Sequence, residues 1–243
     1  MNIVIVIPAR IASTRLPQKP LKMLCGKTII NRVYEKALET GFDVVVATDS
    51  KLILEHVESF NGKAILTRDD HNSGTDRIAE VCEKIKADIY INVQGDEPFI
   101  RKDMILKAVE PFKTGFKGVS TLKTKIVYKE DINNPNTVKV VSDYNNNALY
   151  FSRSPIPYNR DNVENVNYYK HIGLYVYDKD TLKNITSIDE SELESIEKLE
   201  QLRAMQNNIK IKVFEVVYDG VEINTPEDLK KAEEYIKTVS INL

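Results

Sequence analysis

The sequence predicts an α/β protein with a mostly parallel central sheet and helices on both faces. An unbroken apolar run at Ile3–Ile7 reads as a strand buried on both faces, Val44–Ala47 reads as a second buried strand, and Asp88–Val93 reads as a further strand. Segments of helical period separate them, and stop signals such as Gly41 and Asn61-Gly62 fall where those segments end. The third observation is length: 243 residues can bury a large core as one domain.

Composition removes several functional classes. Apolar residues at 42% and charged residues at 29% are those of a soluble globular chain, and a formal charge of −2 gives no basic field for a nucleic acid. Two cysteines, Cys25 and Cys82, make neither a disulfide framework nor a metal set. No targeting segment precedes the first strand and no apolar run approaches membrane-spanning length, so the expected location is the cytoplasm, with no membrane partner.

The first strand runs into the loop Pro8–Pro20, where Arg10, Arg15 and Lys19 stand among small and hydroxyl side chains. Such a segment does not pack as core. Past the carboxyl end of a parallel strand it suits a polyanion, held by backbone N–H groups and fixed cations. The plainer alternative is a solvated loop with scattered charge; strand, loop and cations in that order favour phosphate. The loop has no glycine, so it is neither a Walker loop nor a dinucleotide fingerprint.

A helix is expected over Lys27–Thr40, a strand over Val44–Ala47, and a helix through Leu52, Ile53 and Val57 ahead of the short strand Ala64–Leu66. The polar stretch Arg68–Arg77 then opens a helix carrying Ile78, Val81 and Cys82. Ser73 and Asp76 have capping-box spacing, while Gly74 and the amides beside it suit a ligand equally well. His71 reads as a solvated loop histidine. After Asp88–Val93, Gln94-Gly95-Asp96-Glu97-Pro98 breaks the strand. Two acids at a strand end facing a phosphate loop suit magnesium, Asp96 ahead of Glu97; a capping turn is the alternative.

Beyond Gly118 the pattern changes. Val119–Leu122 is a short strand, and Val138–Val141 and Ala148–Phe151 form a hairpin around an Asn-rich turn. Polar residues to about Asn167 follow. Lys170–Tyr177 alternates, placing His171, Gly173, Tyr175 and Tyr177 on one face, which reads as an ordinary exposed sheet face or a sugar platform. Leu193–Asn207 reads as one amphipathic helix with Ile196, Leu199, Leu202 and Met205 inward and Glu200, Gln201 and Arg203 toward solvent. A strand over Ile209–Glu215 precedes a last helix, with Thr225 as N-cap and Pro226 in its first turn.

The loop Pro-Ala-Arg-x-x-Ser-Thr-Arg-Leu-Pro-x-Lys-Pro resembles the N-terminal signature of the 3-deoxy-manno-octulosonate cytidylyltransferases (CMP-KDO synthetases). Ala-Thr-Asp (47–49), Ser-Gly-Thr-Asp-Arg (73–77), Asn-Val-Gln-Gly-Asp-Glu-Pro (92–98), Asn-Pro-Asn-x-Val-Lys-Val-Val (134–141), Ala-Leu-Tyr-Phe-Ser-Arg (148–153), Lys-His-Ile-Gly-Leu-Tyr (170–175) and Leu-Glu-Gln-Leu-Arg (199–203) resemble that family's motifs in the same order. The resemblance implies a Rossmann-like nucleotidyltransferase fold. It implies a single domain over 1–243, with an inserted hairpin subdomain at about 125–177 for sugar binding and homodimerisation. It also implies transfer of CMP from CTP to KDO for lipopolysaccharide biosynthesis.

Carried over by position, Arg10, Arg15 and Lys19 hold the triphosphate, and Ser73, Gly74 and Arg77 line the cytidine side. Gln94, Arg153, His171, Tyr175, Glu200 and Gln201 surround the sugar acid. Asp96 and position 224 bind magnesium, and a second magnesium carries the nucleophile. Lys19, Asp96 and Arg15 are the expected catalytic set. One residue departs from the pattern: the family's Asp-Thr-Pro-Glu-Asp is here Asn224-Thr-Pro-Glu-Asp. Asn offers magnesium an oxygen without charge; Glu222, two residues earlier, shares its face in an extended segment. The departure leaves room for 8-amino-KDO or another acidic sugar as acceptor, or for a nucleotide-binding regulatory module that has lost turnover.

Overall fold

β1 (Ile3–Ala9) is buried along its length except at Pro8, which is half-buried. The structure is a computed structural model that describes residues 1–12, 15–71 and 73–241. Ser13 and Thr14 of the cation-bearing loop, and Asn72 of the Arg68–Arg77 stretch, lie outside the described residues. After the loop, β2 (Met23–Leu24) and β3 (Lys27–Thr28) form a tight hairpin whose turn residues, Cys25 and Gly26, both have positive φ. The helix expected from Lys27 therefore starts later, as α1 (Ile29–Leu38), with the Thr28 hydroxyl accepting from the Asn31 amide.

β4 (Asp43–Thr48), α2 (Lys51–Ser59), β5 (Ala64–Leu66), α3 (Gly74–Lys84), β6 (Ile89–Asn92) and α4 (Lys102–Val109) follow. β6, β1, β4 and β5 lie side by side in that order and are parallel throughout. α1 and α2 pack on β1, β4 and β5, whereas α3 packs chiefly on β1 and β6. The strand order carries the chain from β1 outward to β4 and β5 and then back past β1 to β6; with the right-handed crossovers general to parallel sheets, that reversal puts α3 on the opposite face. The reversal leaves a crevice outside the carboxyl ends of β1 and β6, the place where open sheets of this kind take ligands. Glycines let its walls close. A Cβ at Gly95 would stand 2.9 Å from the Pro8 carbonyl oxygen, and one at Gly74 would stand 3.3 Å from the Pro8 ring.

The chain forms two compact units, Met1–Leu106 with Asp219–Leu243, and Lys107–Tyr218. The second contains β7 (Val119–Lys125), α5 (Lys129–Asn133), β8 (Lys139–Ser142), β9 (Ala148–Ser152), β10 (Tyr169–Asp178), α6 (Lys179–Ser187), α7 (Glu192–Glu197), α8 (Gln201–Gln206) and β11 (Ile211–Glu215). β7 pairs with β11 in parallel and with β10 antiparallel, and the hairpin β8–β9 joins β10 through β8. The hairpin turn is held by Asp143, whose carboxylate accepts from the amides of Asn145 and Asn147. The last helix, α9 (Pro226–Ile241), belongs to the first unit.

The single helix expected over Leu193–Asn207 is instead α7 and α8, broken at Lys198, which takes a left-handed φ of 51°. The apolar period runs through the break, so the pattern alone does not reveal it. Its consequence is rotation. Ile196, placed inward by the period, is 71% exposed, while Gln201, placed outward, is buried. Arg203 ties the pieces together through both Glu194 oxygens at 2.6 and 2.7 Å.

Candidate active site

At the carboxyl end of β1, Lys19 opens a short 3-10 turn, Lys19–Leu21, entered through Gln18 in the left-handed region. Its Nζ donates to Asp96 Oδ2 at 2.6 Å and to Asn224 Oδ1 at 3.1 Å. The Asp96 turn and the 222–224 segment are joined by the Ile223 amide, which donates to the Asp96 carbonyl at 3.1 Å. Asn224 is the hub. Its Oδ1 also receives Arg15 Nη2 at 3.4 Å, and its Nδ2 donates to Glu222 Oε1 at 2.6 Å. Its own amide and that of Thr225 are held by Asp228 Oδ2 at the start of α9. Surrounding protein, and then the Asp96 charge, raise the Glu222 carboxyl from its usual range, although the side chain still reaches solvent.

Two carboxylates and an amide oxygen thus meet two cations. Among the described residues no three His, Cys, Asp or Glu side chains gather as a metal site. The hard oxygens of Asp96, Glu222 and Asn224 nevertheless suit a magnesium ion that completes its shell with water and phosphate oxygens.

The wall next to this cluster is built by α3. Ser73 caps it: its Oγ accepts from the Asp76 amide at 3.1 Å, and Asp76 Oδ2 accepts from the Ser73 amide at 3.0 Å. Arg77 is fully buried, with Nη2 on Asp49 at 3.0 Å and Nη1 on the Thr67 hydroxyl and the Arg68 carbonyl. Its guanidinium is therefore spent on protein partners, and its Nε has none among the described residues. Gln94, at the end of β6, donates to Asn92 Oδ1 at 3.2 Å.

His71 departs from the solvated reading. It is buried, its Nε2 lies 2.6 Å from Glu80 Oε2, and its carbonyl receives Arg10 Nη2. No local pattern marks it; its partner stands nine residues on and is recognisable only once α3 is placed.

In the second unit, β10 presents rings rather than charges. The His171 ring lies 5.1 Å from Phe151 and 5.2 Å from Tyr175, and Tyr175 stacks on Tyr177 at 6.1 Å. This face is half-buried, not an ordinary exposed one. A register shift between Ile172 and Tyr175 alters the simple alternation. Thr121 spends its hydroxyl proton on the Leu174 carbonyl at 2.7 Å, so His171 Nε2 donates to Thr121 at 2.9 Å and Nδ1 is left as the acceptor. Burial lowers His171 to about 3 and raises Tyr175 well above its usual range, so both are neutral at pH 7.

Tyr175 donates to Gln201 Oε1 at 3.1 Å, while the buried Gln201 Nε2 has no partner among the described residues. Glu200, next in the chain, adds negative charge near Tyr175. Arg153 is placed differently. Its guanidinium donates to the carbonyls of Glu197, Lys198 and Pro135 and so caps the end of α7. The structure thus gathers Arg15, Lys19, Asp96 and Asn224 in one unit, and His171, Tyr175 and Gln201 in the other.

A parallel sheet with a cation-bearing loop and an acidic turn at its strand ends defines a nucleotidyltransferase architecture. A 4-diphosphocytidyl-2C-methyl-D-erythritol synthase from Anaerococcus prevotii shares the fold with TM-score 0.66 at 16% identity, covering 97% of this chain and 98% of that one. Residues 4–211 match a family described as cytidylyltransferase. The 3-deoxy-manno-octulosonate cytidylyltransferase of Thermodesulfovibrio yellowstonii is 49% identical over 99% of this chain and 100% of its own length. That of Escherichia coli is 49% identical over 94% and 93%. A solved CMP:2-keto-3-deoxy-manno-octonic acid synthetase complexed with CTP superposes with TM-score 0.93 at 46% identity, covering 98% and 99%. The chain belongs to the cytidylyltransferases and, among them, to the 3-deoxy-manno-octulosonate cytidylyltransferase family.

Proposed function

We propose that this chain transfers CMP from CTP to the anomeric hydroxyl of KDO, releasing pyrophosphate, for lipopolysaccharide biosynthesis in the cytoplasm. The observation that carries the reading is the Lys19–Asp96–Asn224 cluster at the ends of β1 and β6, in a chain 46% identical to a synthetase solved with CTP. Arg10, Arg15 and Lys19 hold the triphosphate, with Lys19 leaving Asp96 to meet phosphate oxygens. Asp96 and Asn224 hold a magnesium ion, with Glu222 beside them. When bound, magnesium offsets triphosphate charge and polarises the phosphoryl oxygens. Lys19 and Arg15 stabilise charge as it develops on the departing pyrophosphate, and transfer of this kind depends mainly on such positioning.

Ser73 and Gly74 line the cytidine side, with Arg77 bracing that wall from behind through Asp49 and Thr67. His171 Nδ1, the Gln201 amide nitrogen, Tyr175 and Glu200 bind hydroxyls of the sugar acid, with Gln94 and Arg153 as further sugar-side groups. The region of about 125–177 serves sugar binding and dimerisation. Exposed Val127, Tyr128, Tyr144, Leu149 and Tyr158 support a homodimer interface in this part of the chain. No helix among the described residues is long and apolar enough to cross a membrane.

The test mixes the protein with CTP, magnesium and either KDO or 8-amino-KDO, following pyrophosphate and the CMP-sugar. CMP-KDO formation with several-fold preference for KDO is expected. Preference for the amino sugar would change the acceptor, and CTP binding without turnover on either would remove the enzyme reading.

A further inference from the structure

We propose that the His71–Glu80 pair is a positioning element of the nucleotide site, fixing the 68–71 peptide so that the His71 carbonyl oxygen holds the Arg10 guanidinium in place. The inference rests on the reading of Arg10 as a triphosphate ligand. Arg10 leaves the end of β1 on a long, flexible stem, and a cation that must meet phosphate gains from being oriented beforehand. Its Nη2 donates to the His71 carbonyl, and its other donors meet no partner among the described residues, which leaves them for a ligand.

The carbonyl is held by one face of α3. Glu80 Oε2 takes both His71 Nε2 at 2.6 Å and the Arg68 amide at 2.9 Å, so one carboxylate grips the peptide at both ends. Lys84 Nζ holds the other oxygen at 2.7 Å. Arg77, one turn before Glu80, takes the Arg68 carbonyl at 3.1 Å and anchors to Asp49. Residues 77, 80 and 84 share a helix face by their spacing. Burial opposes ionisation of Glu80, yet its hydrogen bonds from Lys84, Arg68 and His71 win and lower it to about 2. A hydrogen bond of this kind adds only modest net stability, so what this pair supplies is geometry.

The test is a calorimetric titration of CTP with magnesium on the full chain and four variants: Arg10→Ala, His71→Ala, the double variant and His71→Gln. Arg10→Ala and His71→Ala are each expected to weaken CTP about tenfold, the double variant no further than Arg10→Ala alone. The amide of His71→Gln can reach Glu80 from the position of the imidazole Nε2 and is expected to restore affinity to within about twofold. In turnover, His71→Ala should raise KM for CTP with little change in kcat. Unchanged affinity in His71→Ala, or losses that add in the double variant, overturns the positioning role while leaving the nucleotide site standing. Full CTP affinity in Arg10→Ala removes Arg10 from that site and the positioning role with it. If His71→Ala does not fold, Glu80→Ala takes its place in the cycle; failure of both to fold assigns the pair to the fold alone and also overturns the proposal.

Discussion

At the ends of β1 and β6 the side chains are charged and already paired, Lys19 with Asp96 and, through Asn224, Arg15 with Glu222. On β10 the corresponding groups are neutral, ring-shaped and drawn away from water, with His171 lowered to about 3 by burial, and beside them on α8 the buried Gln201 amide nitrogen has no partner among the described residues. A polyanion is met by charges that exchange partners. A polyol is met by fixed donors and acceptors whose cost of burial falls when hydroxyls arrive. The difference teaches that, on the proposed reading, ionisable residues count for opposite reasons in the two regions: Lys19 for its charge, and His171 for not having one.

The comparison breaks first at Lys19. Lys19→Ala should lower turnover with CTP on the order of 10²-fold or more, with only a small shift in Tm, since its side chain touches charge and little core. Near-normal kinetics would take the phosphate role away from this cluster.

Gln201→Ala should raise KM for the sugar acid about tenfold, while CTP affinity stays within about twofold. Equal loss for both substrates would show that the neutral patch does not belong to the sugar.

His171 sharpens the contrast through pH. Its folded-state pKa is depressed below its unfolded value of 6.5, so its contribution to stability is full above pH 6.5 and declines as pH falls toward 3. The expected slope is at most about 1.4 kcal/mol per pH unit, and His171→Ala should flatten it in denaturant titrations. The imidazole signals should show no titration between pH 5 and 8 by NMR; a midpoint near 6.5 would mean a wet, ordinary sheet face.

The smallest effect is expected beside Asn224. Its Nδ2 donates to Glu222, so Asn224→Asp sets two carboxylates against each other and should change magnesium affinity by less than about threefold. Glu222→Gln should weaken it several-fold, as calorimetry with magnesium and a nonreactive CTP analogue would read. The reverse ranking would make position 224, not 222, the residue that limits the metal.

Legibility followed the range of the interaction. β1, its cation loop and the acidic turn after β6 are readable because an apolar run and a sudden polar break are local facts. The four residues that meet there, Arg15, Lys19, Asp96 and Asn224, stand out one by one in the sequence, but their convergence through the Asn224 amide depends on strand order. His71 reads as solvated because its burial comes from α3, through Glu80. Gln201 read as outward because one left-handed residue, Lys198, rotates α8 without disturbing the apolar period. Arg77, given a place on the cytidine side by the family resemblance alone, is buried against Asp49, a contact that depends on where α3 begins and so leaves no local mark in the sequence. α5 buries none of its residues and so leaves no apolar stripe in the sequence, whereas α6 does leave one, Leu182 and Ile185 three apart behind the Asp178 cap, and is legible there.

The Lys19–Asp96 pair also bears on how CTP binding answers to salt. An open basic patch holds mobile counter-ions, and raising ionic strength weakens such binding steeply. Here the cation carries its counter-charge within the chain, 2.6 Å away and mostly shielded from solvent. With Lys19 in its proposed role, arrival of the triphosphate would exchange one short contact for another instead of releasing ions to the bulk. Affinity should therefore fall more gently with added potassium chloride than the number of cations at the site suggests.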